Sequence, residues 1–216
     1  MTNTASYERV LDAFRRGDLD ILIGTQMIAK GLDFPNVTLV GIVNADGGLY
    51  LKDFRAPERN FQLLAQVAGR AGRGSVKGEV LIQTESPYNP AIQCAAEHDY
   101  QGFYEDEIQI REELNLPPFC HMLALHFDGV DPEEIEAKAN ELLDLLKTHP
   151  AGKDLIFDEL SPCVIERIKG KYRFMARIRG HKFSAMRRLI RETLKNRRKN
   201  YKNIDIYVDM DPVNLL

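Results

Sequence analysis

"PERNFQLLAQVAGRAGR", residues 57–73, lies between apolar runs, and its reading decides the fold of the first part of the chain. Pro57 stands where a helix can begin, because its missing N–H costs nothing in a first turn. Phe61, Leu64, Ala65 and Ala68 then recur at helical spacing as one apolar stripe. On such a helix Gln66, Arg70 and Arg73 fall at i, i+4 and i+7, so their side chains project from one face. Gly69 and Gly72 leave that face bare enough for close approach. Two guanidinium forks suit phosphate oxygens and can follow charge moving onto a leaving phosphate. The other reading is a solvated helix end with capping glycines.

Around this stretch stand "DILIGT" (20–25), "VTLVGIVNAD" (37–46) and "GEVLIQT" (78–84). Near-continuous apolar runs separated by helices predict a parallel sheet covered on both faces. Tyr7, Val10, Leu11 and Phe14 predict a leading helix that stops at Gly17. Residues 1–88 therefore read as α/β. "GTQMIAKGLDFP" (24–35) starts where the first predicted strand ends, and ligands gather at the carboxyl ends of such strands. Thr25, Gln26 and Lys30 suit a nucleic-acid backbone, and Gly31 and Asp33 suit a nucleotide pocket. A plain connection is the alternative.

Residues 89–119 read as a helical connector that "NLPPF" (115–119) breaks, which places a domain boundary there. Beyond it, "HMLALHFD" alternates with Leu123, Leu125 and Phe127 on one face. Asp131-Pro132-Glu133-Glu134 is a capping signature, followed by the stripe Ile135, Ala139, Leu142 and Leu146. A strand around 155–166 follows, then "YRFMARIR" with Tyr172, Phe174, Ala176 and Ile178 on one side. A helix over "FSAMRRLIRETLKNRRK" and a closing strand "IDIYVDM" complete the chain. Residues 120–216 thus predict an α+β unit of β-α-β-β-α-β order, the ferredoxin-like arrangement.

With 44% hydrophobic and 28% charged residues, the composition is that of a globular protein. No apolar run reaches membrane-spanning length, so no membrane association is expected. Cys94, Cys120 and Cys163 are far apart without a C-x-x-C pair, which predicts buried free thiols and no zinc site.

The net charge of −3 hides a segregation. Glu166–Lys202 holds 15 basic and 2 acidic residues, a local +13; the remainder holds 14 basic and 30 acidic, or −16. A segregated block points to an anionic partner, with intramolecular pairing as the alternative. On the last predicted helix Arg187, Arg191, Lys195 and Arg198 share a face opposite Phe183, Met186, Ile190 and Leu194. Arg173, Arg177 and Arg179 lie on one side of the preceding strand. Seven cations on a helix and a sheet suit a phosphate backbone, with Tyr172 or Tyr201 available for stacking. No base-reading pattern is visible, so the expected binding follows DNA structure, not sequence.

Taken together, G-T-Q-M-x-x-K-G-x-D-F-P-x-V, N-A-D, D-F-R-A-x-E-R and Q-V-A-G-R-A-G-R resemble the second RecA-like lobe of superfamily 2 helicases. Within these the chain resembles the PriA-type replication-restart helicases, the match running on through "GEVLIQT", "LPPF" and "YVDMDPVN". The resemblance implies a cytoplasmic, nucleoid-associated enzyme that hydrolyses ATP with Mg²⁺ and moves 3′ to 5′ on DNA. It also implies fork and single-stranded DNA, primosome proteins and single-strand-binding proteins as partners. By position it implies that Gln66, Arg70 and Arg73 sense the γ-phosphate, the arginines acting as fingers. Gly31 and Asp33 would couple nucleotide to DNA, with Thr25 and Gln26 tracking the strand beside them. Residues 120–216 match that family's C-terminal domain, which resembles a ribosomal protein.

Departures from the family are equally plain. The chain has no G-x-x-x-x-G-K-[ST], no D-E-x-H box, no cysteine-rich zinc segment and no N-terminal DNA-binding domain. The expectation is therefore the C-terminal part of a longer enzyme, cut within the second lobe and inactive alone, with ATP, Mg²⁺ and zinc bound by the whole. A stand-alone nucleic-acid-binding or primosome-scaffolding module and another superfamily 2 translocase are the alternatives.

Overall fold

A computed structural model of the chain describes residues 4–25, 34, 36–69, 78–195 and 201–215. The chain divides into two compact units, residues 1–50 with 56–104 and residues 51–55 with 105–216. The division falls within a helix, and a five-residue piece of the motif-bearing region joins the second unit; the sequence placed its boundary at 115–119.

In the first unit, helix α1 (Thr4–Arg16) ends at Gly17, whose φ of 78° suits a residue without Cβ. Strands β1 (Leu39–Ile42) and β2 (Glu79–Ile82) pair in parallel, Leu39 opposite Glu79 and Ile42 opposite Ile82. Helix α2 (Ala56–Ala68) lies between them in sequence and buries Phe61, Leu64 and Ala68, the stripe that its spacing predicts. Asn89 caps α3 (Pro90–Glu97) by accepting the Ala91 N–H at 3.0 Å, and α3 buries Ala91, Ile92 and Ala95. Helix α4 (Tyr100–Glu113) contributes Phe103, which stacks on Phe61 with ring centroids 4.4 Å apart. Phe61, Leu64, Ala91, Ile92, Ala95 and Phe103 form the unit's core with Ala45.

"DILIGT" is not a strand. Residues 21–25 have no ladder partner among the described residues, and Ile21 and Ile23 are 77% and 89% exposed. An apolar run becomes a strand only where a neighbour offers paired N–H and C=O groups, which composition cannot specify.

In the second unit, β3 (His121–Gly129) is followed by α5 (Pro132–Thr148), whose first turn Asp131 caps through the N–H groups of Glu133 and Glu134. The single strand expected near 155–166 is two pieces, β4 (Ile156–Phe157) and β5 (Ser161–Ile168). Pro162 has no N–H for a ladder, and the β5 register shifts between it and Arg167. Strand β6 (Lys171–Gly180), helix α6 (Phe183–Leu194) and strand β7 (Ile204–Met210) follow. The sheet is antiparallel throughout, in the order β4-β6-β3-β7, with β5 also pairing β6.

Leu123, Leu125 and Phe127 of β3 pack with Ile135, Ala139, Leu142 and Leu146 of α5 and Met186 and Leu189 of α6. Each of these leucine, isoleucine, phenylalanine and methionine side chains contributes about 1.5–3 kcal/mol of transfer free energy when fully buried. The other face of β3 is also buried at its start. Met122 and Ala124 pack with Cys163, Met175 and Leu215, and with Phe54 and Leu116.

Candidate functional site

The arginine stretch is approached by α2, whose Gln66 is on the exposed side while Phe61, Leu64 and Ala68 face inward. The helix stops at Ala68. Gly69 follows as a turn, its N–H donating to the Ala65 carbonyl at 3.1 Å. Arg70 and Arg73 lie outside the described residues, as do Gln26, Lys30, Gly31 and Asp33. Thr25 is described and exposed.

Asp46, which the motif N-A-D contains but to which the sequence reading gave no role, ties the ends of the two parallel strands together. Its carboxylate accepts the Thr84 hydroxyl at 2.8 Å and the Glu85 N–H at 2.9 Å. The Glu85 N–H, with Thr84 and Ser86, holds this carboxyl below the usual carboxylate range against the cost of its burial. An acid closing the apolar run 37–46, four residues past the end of β1, was the available signal. Asn44 before it adopts left-handed backbone at φ 59°, a conformation asparagine tolerates better than most residues. These bonds join the segments that follow β1 and β2 at their carboxyl ends, where ligands of α/β sheets gather.

In the second unit, the cations fall into two groups. The β6 arginines are used internally. Arg177 Nε meets Asp158 Oδ2 at 2.8 Å, and Arg179 Nη2 meets Oδ1 of the same carboxylate at 3.0 Å. Arg179 Nη1 also donates to the Leu114 carbonyl at 2.8 Å. Arg173 Nε lies 3.8 Å from Asp128, and its Nη1 donates to the Ile165 carbonyl at 3.4 Å. These three side chains are between 15% and 31% exposed, so the alternation that put them on one side also put them against acids.

Helix α6 differs. Met186, Leu189 and Thr193 turn inward, and Arg187, Arg188, Arg191 and Lys195, directly after the helix, are exposed. None of the four has an ion-pair partner among the described residues. The one acid of the helix, Glu192, is 3.4 Å from His149. Arg188 joins the face that the sequence reading assigned to Arg187, Arg191 and Lys195; Arg198 lies outside the described residues.

The stacking expectation changes too. Tyr201 is buried as part of the sheet–helix core, and it is not available to a base. Tyr172 packs partly against that core with the Arg167 guanidinium 4.9 Å from its ring centroid. Tyr207, on the opposite face, is exposed. Its phenol is raised in pKa, first by burial of its polar end and then by a hydrogen bond with Asp128. Burial pushes the Cys120 and Cys163 thiols up, which makes both poor nucleophiles. Among the described residues no cluster of His, Cys, Asp or Glu has metal-holding geometry, and no helix is long and apolar enough to cross a membrane.

Comparison with known proteins bears on both units. Residues 2–75 match the helicase conserved C-terminal domain, and residues 112–213 match the primosomal protein N C-terminal domain. The replication restart protein PriA of Bacillus subtilis is 39% identical over 96% of the chain, which spans 26% of that protein. The PriA of Treponema pallidum is 40% identical over 97% of the chain and 32% of that protein, and the PriA of Haemophilus influenzae 33% identical over 96% and 28%. The chain thus spans a quarter to a third of the length of these relatives. A designed protein, Foldit4, aligns with 44% of the chain at a TM-score of 0.35 and 15% identity, too low to carry an argument.

Proposed function

The chain belongs to the PriA family, whose C-terminal part it matches, and we propose that it serves in an ATP-dependent 3′ to 5′ DNA helicase that recognises stalled forks and restarts replication through primosome assembly. In this reading the first unit is part of a RecA-like lobe. Gln66, Arg70 and Arg73 face the γ-phosphate of ATP, Gly31 and Asp33 line the nucleotide side, and Thr25, Gln26 and Lys30 follow the DNA strand. Guanidinium groups fit a phosphate by charge and by fork geometry. ATP and Mg²⁺ are shared with a P-loop lobe, a motif that these 216 residues do not contain. The family's zinc is held by a cysteine-rich segment that this sequence likewise does not contain.

The second unit is the DNA-contacting module, with a strand order that suits the ferredoxin-like arrangement. The observation that carries this is the α6 face. Arg187, Arg188, Arg191 and Lys195 remain exposed without acidic partners among the described residues, although the chain outside the basic block is rich in acids. Such a face contacts phosphates and reads no sequence; in this reading the protein works in the cytoplasm with DNA, primosome and single-strand-binding proteins. The test is titration of this chain with a forked and a single-stranded DNA at low salt. Binding to neither overturns the reading.

A further inference from the structure

The segment Leu51–Arg55 packs with the second unit, while its chain neighbours on both sides belong to the first. Its side chains are held by the C-terminal tail. The buried Asp53 carboxylate accepts the Arg55 N–H at 3.0 Å and the Leu215 N–H at 3.5 Å. Arg55 Nη1 donates to the Pro212 carbonyl at 2.7 Å. The Phe54 ring joins the cluster of Met122, Ala124, Cys163, Met175 and Leu215, with the Arg55 guanidinium 4.2 Å from its centroid.

The tail is itself fastened to the start of β3. Asp211 Oδ1 accepts the Met122 N–H at 2.9 Å, its Oδ2 lies 2.8 Å from His121 Nδ1, and its own N–H donates to the Met122 carbonyl at 2.7 Å. A plain connection leaves its charges in water. Here a carboxylate and a guanidinium reach backbone groups of a tail more than 150 residues away, and charge-assisted hydrogen bonds of this kind fix position as well as energy. Ala56, the first residue of α2, follows Arg55 directly, and α2 leads into the stretch 66–73. Whatever holds Arg55 therefore also holds the backbone that enters α2, one covalent link away.

The geometry points to Asp53 and Arg55 as positioning residues that, with the tail 211–215, link nucleic-acid binding on the second unit to α2 and so to the arginine stretch. This rests on the reading of the second unit as DNA-binding. The residues touch neither nucleotide nor DNA; they act by holding the chain that enters α2.

Hydrogen–deuterium exchange of the α2 amides in the 216-residue chain, with and without a single-stranded oligonucleotide, tests the link. DNA should slow α2 exchange severalfold, on the order of fivefold, through suppression of local opening. Arg55→Ala should abolish that slowing while DNA affinity stays within about twofold, as expected for a site remote from the contact. Arg55→Lys should restore it, because the acceptor is one carbonyl oxygen and an ammonium can reach it. A merely structural role would change exchange with and without DNA alike. Should Arg55→Ala not fold, Asp53→Asn serves, since it weakens the acceptor and removes the charge. Unchanged DNA-induced slowing in the variants, or none in the wild-type chain that binds DNA, overturns the link alone. A chain that binds no DNA overturns the proposed function and the link together.

Discussion

Arg177 and Arg179, two residues apart on β6, place their guanidinium groups on the two oxygens of one carboxylate, that of Asp158, at 2.8 and 3.0 Å. Side chains at i and i+2 share a face of a strand, so two like charges would repel there without an acid between them. Asp158 follows β4 immediately, which puts it beside β6 where those arginines emerge. Asp158→Ala should therefore destabilise the second unit by about 1–3 kcal/mol, the cost of leaving partly buried cations unpaired. Chemical denaturation of the variant checks the size. DNA affinity should not fall, because the lost group is an acid; a drop would place Asp158 in the interface.

The α6 face should behave as a phosphate contact. Four neutralised phosphates on a single strand predict a slope of log K against log salt of about −3. Replacing Arg187 and Arg191 with alanine should roughly halve that slope and weaken binding alike for every sequence. Replacing Arg177 and Arg179 instead should leave the slope near its wild-type value. Binding isotherms over a salt series distinguish the two faces, and equal effects from both pairs would refute the division of cations drawn here.

Asp46 supports a pH prediction. A carboxyl held below its ordinary pKa in the folded state stabilises the fold above that ordinary value, near 3.8, and loses this as pH falls through the lowered folded value. Asp46→Ala should lower the unfolding midpoint at neutral pH, with the deficit shrinking on the acid side below about pH 4. Thermal unfolding from neutral to acid pH measures it. A deficit that does not change with pH would assign the effect to lost packing, not to the charged form accepting the Thr84 and Glu85 hydrogen bonds.

How far the sequence could be read depends on how local each cause is. The Asp131 cap and the stripe Ile135, Ala139, Leu142 and Leu146 were legible because both depend on spacing within one helix. The inward set Leu123, Leu125 and Phe127 followed from alternation, but burial of Met122 and Ala124 did not, since Phe54, Leu116 and Leu215 come from distant parts of the chain. "DILIGT" has strand composition, yet Ile21 and Ile23 find no partner among the described residues. The candidate interface divides the same way. Exposure of Arg187 and Arg191 follows from helical period, whereas pairing of Arg177 and Arg179 with Asp158 required the third dimension.

The arginine stretch carries the sharpest expectation, and Arg70 and Arg73 bear it from sequence and family membership alone. In the longer protein of the family, ATP would meet these guanidinium groups at its γ-phosphate, where negative charge builds up in the transition state more than in the bound ground state. Arginine fingers contribute on the order of 10³–10⁵ in rate, roughly 4–7 kcal/mol of barrier. Lysine keeps the charge but loses the planar fork, so it should not rescue either position. Arg70→Ala and Arg73→Ala should each abolish DNA-stimulated ATP turnover and leave fork affinity nearly intact, because the cations proposed to contact DNA are Lys30 and those of the α6 face, not these two arginines. Steady-state ATPase and fork binding on the full-length variants measure both quantities. Turnover within about threefold of wild type would forfeit under 1 kcal/mol of barrier and make these arginines surface charges.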